Sequence, residues 1–243
     1  MSFDGQRAVV IGASSGIGEA TARSFAAAGA HVIIAGRSKD RLDAAAERIG
    51  YPVEPRELDA TDGAAVTAFF GAIGEVDHLV LTASPGAVAM GPLAGLEESA
   101  LREAFDGKFF AHFKVVKAAV PALRAGGSIT VVSAVSARMA YPGTAGLAAV
   151  NGALESMVPP LAVELAPVRV NAVSPGIIDT PWWDFLPEQQ RAAQFEAVAG
   201  STPAGRVGTP QDVADAVLFL AGQSFVTGTV LEVAGGAQLP AGH

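Results

Sequence analysis

Cysteine is absent from the 243-residue chain, which excludes a disulfide framework, thiolate catalysis and cysteine-ligated zinc. Charged residues are also few, at 16%. No uninterrupted apolar run reaches the roughly 18 residues that a membrane-spanning helix needs. The N-terminus lacks the basic and then apolar segments of a signal peptide. We therefore expect a cytoplasmic protein that does not bind a membrane.

Basic residues are outnumbered, with 16 Lys and Arg against 24 Asp and Glu, so the net charge is −8. A general attraction to nucleic acid is not expected from such a surface. The four histidines, His31, His78, His112 and His243, are scattered, and no spacing of His, Asp and Glu predicts a metal site. The expected partner is therefore a small-molecule substrate.

Half of the residues are apolar, which suits one compact domain over residues 1–243. Short β-rich runs alternate with longer Ala-rich runs, and this alternation predicts a doubly wound α/β fold of Rossmann type, with helices on both faces of a parallel sheet. Strands are expected at 7–11, 31–35, 53–58, 78–82, 128–133, 168–173 and 229–233, and helices at 16–28, 40–49, 64–73, 99–125, 144–166 and 210–221. The adjacent Pro159 and Pro160 predict a kink or break in the fifth helix.

A glycine-rich turn follows the first strand and opens the first helix. Glycines in such a turn let backbone N–H groups approach a pyrophosphate, and the helix N-terminus adds the positive end of its dipole. The spacing is G-x-x-x-G-x-G and not the more common G-x-G-x-x-G of dinucleotide sites. The residues expected to bind phosphate are Gly12, Ser14, Ser15, Gly16, Ile17 and Gly18.

The end of the second strand is where a dinucleotide site reads the adenosine ribose. An acidic residue there would accept a hydrogen bond from a free 2′-hydroxyl group. This chain has Gly36 followed by Arg37 instead. A small residue and then a basic one suit a 2′-phosphate, so NADP(H) is favoured over NAD(H) and Arg37 is its expected partner.

Five segments together resemble the short-chain dehydrogenase/reductase family over nearly the whole chain. They are GASSGIG at 12–18, LDATD at 58–62, RVNAVSPG at 169–176, PAGRVGTP at 203–210, and VTGTV at 226–230 before Gly235-Gly236. The resemblance implies a sheet of about seven strands, a nicotinamide cofactor and a homodimer or homotetramer. It places four residue pairs around the cofactor: Asp59 and Ala60 at the adenine, Thr82 and Ala83 at the adenosine ribose, Pro175 and Gly176 under the nicotinamide, and Ile178 and Thr180 at its carboxamide.

The same resemblance implies a proton relay of Ser, Tyr and Lys, and none of these three is at its expected position. Matching segments on both sides fix the register. The serine position then holds Ala134, the tyrosine position Leu147 and the lysine position Asn151. The asparagine that supports the relay from an earlier helix aligns with Lys108.

Two functional hypotheses follow. In the first, the protein is an NADP-dependent oxidoreductase with a relocated relay, in which Lys108 replaces the missing lysine while Ser133 and Ser136 bind the substrate oxygen and Asn151 meets a ribose hydroxyl. A buried lysine can have a pKa low enough to act as an acid. In the second, the fold binds NADP(H) without turnover, as a redox sensor or an inactive subunit. We prefer the first, because the segments expected to bind cofactor are intact.

The long irregular region at 179–208 contains Trp182, Trp183 and Phe185 beside the expected nicotinamide. In the family this segment closes over substrate. Aromatic side chains there indicate a mostly apolar substrate pocket, or alternatively a subunit interface. Tyr141, one of two tyrosines, is expected to be a surface residue and not a displaced acid.

Overall fold

The computed structural model describes residues 1–239, and it contains one seven-stranded parallel sheet in the order β3-β2-β1-β4-β5-β6-β7. The predicted fold class is confirmed. The strands are β1 (Arg7–Ile11), β2 (His31–Gly36), β3 (Val53–Glu57), β4 (Val76–Leu81), β5 (Leu123–Val132), β6 (Arg169–Pro175) and β7 (Val230–Val233). The α-helices are α1 (Gly16–Ala27), α2 (Lys39–Ile49), α3 (Gly63–Ile73), α4 (Glu98–Ala104), α5 (Ala111–Ala119), α6 (Ala145–Glu164), α7 (Glu188–Ser201) and α8 (Pro210–Gly222).

The sheet is covered by apolar helix surfaces on both faces. On one face, Val66 of α3, Val115 of α5 and Val158 of α6 pack against the strands. On the other face, Phe25 of α1 and Val217 of α8 do the same. Burial on both sides explains why the central strands are almost entirely apolar.

The chain reverses its winding direction between two central strands. β1 pairs with β2 on one side and with β4 on the other. The carboxyl ends of β1 and β4 therefore flank the crevice in which doubly wound folds bind their ligands. The glycine turn after β1 lies at this crevice.

The helix predicted at 99–125 is wrong in two respects. It is interrupted by a π-helical turn at Phe105–Phe110, and it gives way to β5 at Leu123. Gly126 has a φ of +81°, and a Cβ on Gly127 would lie 2.5 Å from the carbonyl oxygen of Asp77. These two glycines let an irregular strand start pass close to β4, where the pairing register shifts.

Of the kink or break predicted at the two prolines, the break is wrong, because α6 runs without interruption from Ala145 to Glu164. Pro159 and Pro160 are exposed, while Leu154 and Val158 on the same helix are fully buried. This buried surface stabilises the helix against an interior-proline cost of about 3 kcal/mol each.

The region 179–208 is more ordered than its sequence suggests. It contains a 3-10 turn at Pro181–Trp183 and the 14-residue helix α7. No α-helix among residues 1–239 is both long and apolar enough to cross a bilayer. Residues 240–243, including His243 and the end of the predicted domain, lie outside the described residues.

Candidate active site

The glycine turn between β1 and α1 leaves no room for a side chain at Gly12 or at Gly18. Gly12 has a φ of +92°, and a Cβ there would lie 2.6 Å from the backbone nitrogen of Ala83. A Cβ on Gly18 would lie 2.3 Å from the carbonyl oxygen of Gly12. Ser15, which precedes α1, makes no side-chain hydrogen bond to the free N–H groups of the first turn. Those donors are therefore available to an anion.

All six residues expected to bind phosphate lie in this turn or in the first turn of α1: Gly12, Ser14, Ser15, Gly16, Ile17 and Gly18. A narrow turn that a Cβ would fill, next to free amide donors, fits the pyrophosphate of a dinucleotide.

Arg37 and Asp59 follow β2 and β3 at the same edge of the sheet, and both are exposed. The Asp59 carboxylate accepts hydrogen bonds from the backbone N–H and hydroxyl of Thr61, at 2.9 and 2.8 Å. These bonds, with smaller effects from Arg37 and Lys114, hold the pKa of Asp59 below its ordinary value. The carboxylate is therefore fixed and charged next to the buried Ala60.

Thr82 connects the ends of β4 and β1. Its hydroxyl lies 3.0 Å from the carbonyl oxygen of Ile11 and 3.1 Å from that of Gly12. Thr82 and Ala83 thus form the wall against which the glycine turn packs.

The residues expected at the nicotinamide lie at the end of β6 and directly after it. A Cβ on Gly176 would lie 2.9 Å from the Cα of Ala234, so the chain after Pro175 lies close to the segment after β7. Ile178 is buried, and Thr180 approaches the glycine turn, 3.3 Å from where a Gly16 Cβ would be.

The segment that begins after Ile178 ends at Gly208, next to its own start. Ile178 and Gly208 form a parallel bridge. The backbone N–H of Asp179 donates to the Gly208 carbonyl at 2.9 Å, and that of Gly208 donates to the Ile177 carbonyl at 3.0 Å. We refer to residues 179–207 as the lid.

Four aromatic side chains of the lid pack on one another. Trp183 has its ring centroid 4.7 Å from Trp182, 6.0 Å from Phe185 and 6.0 Å from Phe195. The indole N–H of Trp183 donates to the carbonyl of Ile178 at 3.0 Å. This bond anchors the aromatic cluster to the start of the lid.

Lys108 lies in the π-helical turn, and its ammonium reaches the helix α6. Nζ donates to Oδ1 of Asn151 at 2.7 Å and to the carbonyl oxygen of Ser133 at 3.3 Å. Burial lowers the pKa of Lys108 to about 8, against an opposing effect of the Glu155 charge. A π-turn inserts an extra residue into a helix and is common at functional sites.

Both the oxygen and the nitrogen of the Asn151 side-chain amide form hydrogen bonds. While Oδ1 accepts from Lys108, Nδ2 donates to Oγ of Ser136 at 3.1 Å and to the carbonyl of Leu147 at 3.0 Å. The contact with Lys108 fixes which way the amide faces. Ser136 thus accepts from Asn151, and its own hydroxyl hydrogen remains to be donated.

The structure separates the two serines that the sequence grouped together. Ser136 is half-buried beside Asn151, whereas Ser133 is 4% exposed and its hydroxyl donates to Oε1 of Glu155 at 2.7 Å. Only the backbone carbonyl of Ser133 contacts Lys108.

Glu155 is the functional candidate that sequence reasoning missed. It is 7% exposed, and it follows Asn151 by four residues on α6, so the two share a helix face. Its position as the one charged residue between Arg138 and Glu164 was a signal that could have found it.

His112 lies one turn after Lys108 and is fully buried. Its Nε2 bonds to the carbonyl of Ala83 at 3.0 Å, which makes Nε2 the protonated nitrogen and leaves Nδ1 as an acceptor with no hydrogen-bond partner among residues 1–239. Burial, with the Lys108 charge adding to it, lowers the pKa of His112 to about 3. His112 is a neutral packed histidine at neutral pH.

The residues at the predicted serine and tyrosine positions are apolar. Ala134 and Leu147 are half-buried, and Tyr141 is exposed on the loop before α6. The phenol of Tyr141 makes no hydrogen bond within residues 1–239, although its backbone carbonyl accepts from the Thr144 hydroxyl at 2.7 Å.

Comparisons with known proteins agree with this geometry. Residues 12–238 match the family model described as enoyl-(acyl carrier protein) reductase. The chain is similar to the 3-oxoacyl-[acyl-carrier-protein] reductase of Thermotoga maritima, with 35% identity covering 97% of this chain and 99% of that protein.

Two solved structures extend the comparison. A small-chain dehydrogenase in complex with NADPH has 33% identity and a TM-score of 0.84, covering 98% of this chain and 100% of that one. A short-chain type dehydrogenase/reductase from Mycobacterium ulcerans has 29% identity and a TM-score of 0.91, covering 100% of this chain and 93% of that one. With its fold, its glycine turn and these matches, the chain belongs to the short-chain dehydrogenase/reductase family and is an oxidoreductase of that family.

Proposed function

We propose that this protein is an NADP(H)-dependent oxidoreductase that interconverts a small, apolar carbonyl compound and its alcohol, with Lys108 and Ser136 handling the substrate oxygen. One observation carries the proposal. The Lys108 ammonium lies 2.7 Å from Asn151, the residue at the family's lysine position. In the proposed alignment, lysine and asparagine are exchanged between two helical segments, and the contact supports a role for the Lys108 ammonium in place of the missing lysine.

The cofactor assignment is supported by the fit of the crevice. The turn from Gly12 to Gly18 would hold the pyrophosphate, and Arg37 would pair with a 2′-phosphate. Asp59, Ala60, Thr82 and Ala83 would hold the adenosine half; Pro175, Gly176, Ile178 and Thr180 would hold the nicotinamide half. When bound, the nicotinamide supplies or accepts the hydride.

Lys108 is suited to supply the proton that the substrate oxygen needs during reduction. With a pKa of about 8, its ammonium is charged at neutral pH yet far more acidic than an exposed lysine. Two of its hydrogens are held by Asn151 and Ser133, and an ammonium has three. The third stays free for a substrate oxygen or for a water that contacts it.

Ser136 is suited to orient the same oxygen. Because its Oγ accepts from Asn151, and Asn151 accepts from Lys108, the dipoles of the chain align toward Ser136. An amide does not pass a proton along this chain, so the effect on the Ser136 hydroxyl is polarisation. Ser133 is assigned a positioning role through its carbonyl, since its hydroxyl faces Glu155.

The apolar substrate class is supported by what surrounds these groups. Ala134 and Leu147 replace two polar relay residues, and the lid presents Trp182, Trp183 and Phe185. Such walls favour a substrate whose polar atoms are confined to the reacting group.

The test is NADPH oxidation against a panel of aldehydes, ketones and quinones, in wild type, Lys108→Ala and the control Lys117→Ala, whose side chain is exposed on α5. We expect turnover in wild type and the control, and a loss of at least about 100-fold in kcat for Lys108→Ala. The wild-type rate of reduction should fall as the pH rises through about 8. Full activity in Lys108→Ala would remove Lys108 from the mechanism.

A second function is favoured by the apolar residues at the serine and tyrosine positions, Ala134 and Leu147. It is a non-catalytic NADP(H)-binding protein. NADPH binding by calorimetry, with no turnover of any compound in the panel, would support it. Absence of binding to either nicotinamide nucleotide would overturn both functions.

We also propose a homodimer or homotetramer. Phe110 in the π-turn, Phe113 on α5 and Val163 on α6 are 44%, 48% and 80% exposed, and an apolar surface of this kind favours self-association. Light scattering after gel filtration gives the mass directly, and a monomer would contradict the proposal.

A further inference from the structure

A carboxylate is buried beneath the residues that hold Lys108. Glu155 is 7% exposed and lies on α6 where the carboxyl ends of β5 and β6 meet that helix. Burying a charge is unfavourable unless it is paired and hydrogen-bonded. The contacts of Glu155 therefore show what its charge is matched to.

Each oxygen of Glu155 has donors. Oε1 accepts from the hydroxyls of Ser133 and Ser174, at 2.7 and 2.8 Å. Oε2 lies 3.0 Å from Nε of Arg138. Three donors are thus directed at one buried carboxylate, which offsets the cost of burying it.

Glu155 is linked to Lys108 by two routes. Ser133 donates its hydroxyl to Glu155 and presents its carbonyl oxygen to the Lys108 ammonium. Asn151, the other acceptor for Lys108, lies one turn before Glu155 on α6. Of the two residues that accept from the ammonium, Ser133 is therefore hydrogen-bonded to the Glu155 carboxylate, and Asn151 is its neighbour on the same helix.

The acidic side chain that acts on Lys108 is Glu155, which is connected to it through Ser133 and not by a direct ion pair within residues 1–239. His112, on the same helical segment, is neutral because its pKa is about 3. Arg138 is a second cation, paired with Glu155 and with Glu232 at 2.9 Å. Glu155 is the acidic group that favours the charged form of Lys108 against the effect of burial.

We propose that Glu155 is a positioning residue for the reaction: its carboxylate keeps the Lys108 ammonium protonated and, through Ser133, fixes the carbonyl against which that ammonium lies. The inference deepens the proposed function and rests on it for its catalytic consequence. Its physical claim concerns two side chains of the chain itself and requires no bound cofactor.

The claim gives opposite expectations for two changes that each remove one charge. Glu155→Gln removes the negative charge while keeping an acceptor for Ser133, so the acid dissociation constant of Lys108 should rise by at least about tenfold. Arg138→Gln removes the competing cation, so the same constant should fall. A purely structural role for Glu155 predicts no such reversal of sign.

The chain has only four lysines, Lys39, Lys108, Lys114 and Lys117, which makes the measurement direct. The full-length protein with 13C- and 15N-labelled lysine is titrated by NMR without substrate, and the signal of Lys108 is identified from its loss in Lys108→Arg. The matched control is Glu164→Gln, an exposed glutamate near the end of the same helix. We expect the Lys108 pKa to fall in Glu155→Gln, to rise in Arg138→Gln and to remain unchanged in the control.

An unchanged Lys108 pKa in Glu155→Gln, or shifts of the same sign in both variants, would overturn the inference. If Glu155→Gln fails to fold, as circular dichroism would show, the Arg138→Gln titration still decides, since no rise there contradicts the proposal. In the pH profile of NADPH oxidation, the descending limb should move with the NMR value.

The two proposals fail in distinguishable ways. Opposite pKa shifts without turnover of any substrate would keep the Glu155–Lys108 coupling and overturn the enzyme function. Turnover that needs Lys108, with a pKa insensitive to Glu155, would keep the enzyme function and overturn the coupling.

Discussion

Two buried histidines should make the protein sensitive to mild acid. His78 is 4% exposed and lies between Phe3 and Phe25. Its Nε2 contacts the carbonyl oxygen of the Gln6 amide at 2.5 Å, so its Nδ1 accepts from the Ser128 hydroxyl at 2.8 Å. Burial lowers the pKa of His78 to about 4, and that of His112 to about 3. Both rings are therefore neutral in the folded protein.

The sign and size of the effect follow from proton linkage. The folded-state pKa of each ring is below the unfolded value of about 6.5, so the unfolded chain binds more protons below pH 6.5 and stability decreases there as the pH falls. In the unfolded chain at pH 5, the protonated form of each histidine exceeds the neutral form about thirtyfold. This protonation stabilises the unfolded chain by about 2 kcal/mol per ring. Since both folded values lie well below 5, this result depends mainly on the unfolded pKa. The two histidines together should remove about 4 kcal/mol between pH 7.5 and pH 5.

Urea unfolding at pH 7.5 and pH 5 measures this loss. Carboxylates contribute to it as well, so the informative quantity is the change in pH dependence between wild type and His112→Leu, which removes the titrating ring and its unpartnered Nδ1. We expect His112→Leu to lose about 2 kcal/mol less stability than wild type over this interval. The control His31→Gln, whose ring is 57% exposed, should behave as wild type. If His112→Leu shows the full wild-type loss, the assignment of a neutral buried imidazole is wrong.

Three further predictions address other parts of the molecule. Arg37→Ala should lower the ratio of NADPH to NADH affinity by at least about tenfold, measured by calorimetry with Arg41→Ala as the control; an unchanged ratio would refute the 2′-phosphate assignment. Ala89→Gly should stabilise the protein by about 1 kcal/mol in urea unfolding, because Ala89 has a φ of +63°; a loss of stability would contradict strain at this residue. Arg169→Met should destabilise by about 3 kcal/mol, because the buried guanidinium donates to the carbonyls of Leu220 and Ala221 at 2.5 and 2.6 Å; a loss below about 1 kcal/mol would show that water replaces these bonds.

The doubly wound sheet was predictable because its determinants are local. Near-continuous apolar strands, helices with capping residues and a glycine turn at 12–18 each specify structure within a short segment. The start of β5 was not predictable in this way. Leu123 and its neighbours suit a helix, and the strand depends on Gly127 passing close to Asp77 of β4, a contact between residues distant in sequence.

The helix α6 shows the same limit. Two adjacent prolines indicate a break by local rules, but the buried face of the helix against the sheet stabilises it through both. Its Leu154 and Val158 contribute to a core that the sequence shows only as scattered apolar residues.

At the candidate site, the sequence located Lys108 and Asn151 but not the contact that joins them in the structure. Alignment alone did not predict that the amide of Asn151 is occupied on both sides. Nor did it predict that the Ser133 hydroxyl faces away from Lys108. Both depend on contacts between residues that are distant in sequence, such as Lys108 with Asn151 and Ser133 with Glu155.

The backbone hydrogen bonds that join Ile177 and Asp179 to Gly208 hold the two ends of the lid next to each other. The lid is also attached near its end, where the backbone N–H of Ala204 donates to the carbonyl of Gly235 at 3.0 Å. A change in the length of the lid should therefore leave β6 and α8 in place only where both attachments, at Gly208 and at Gly235, are retained.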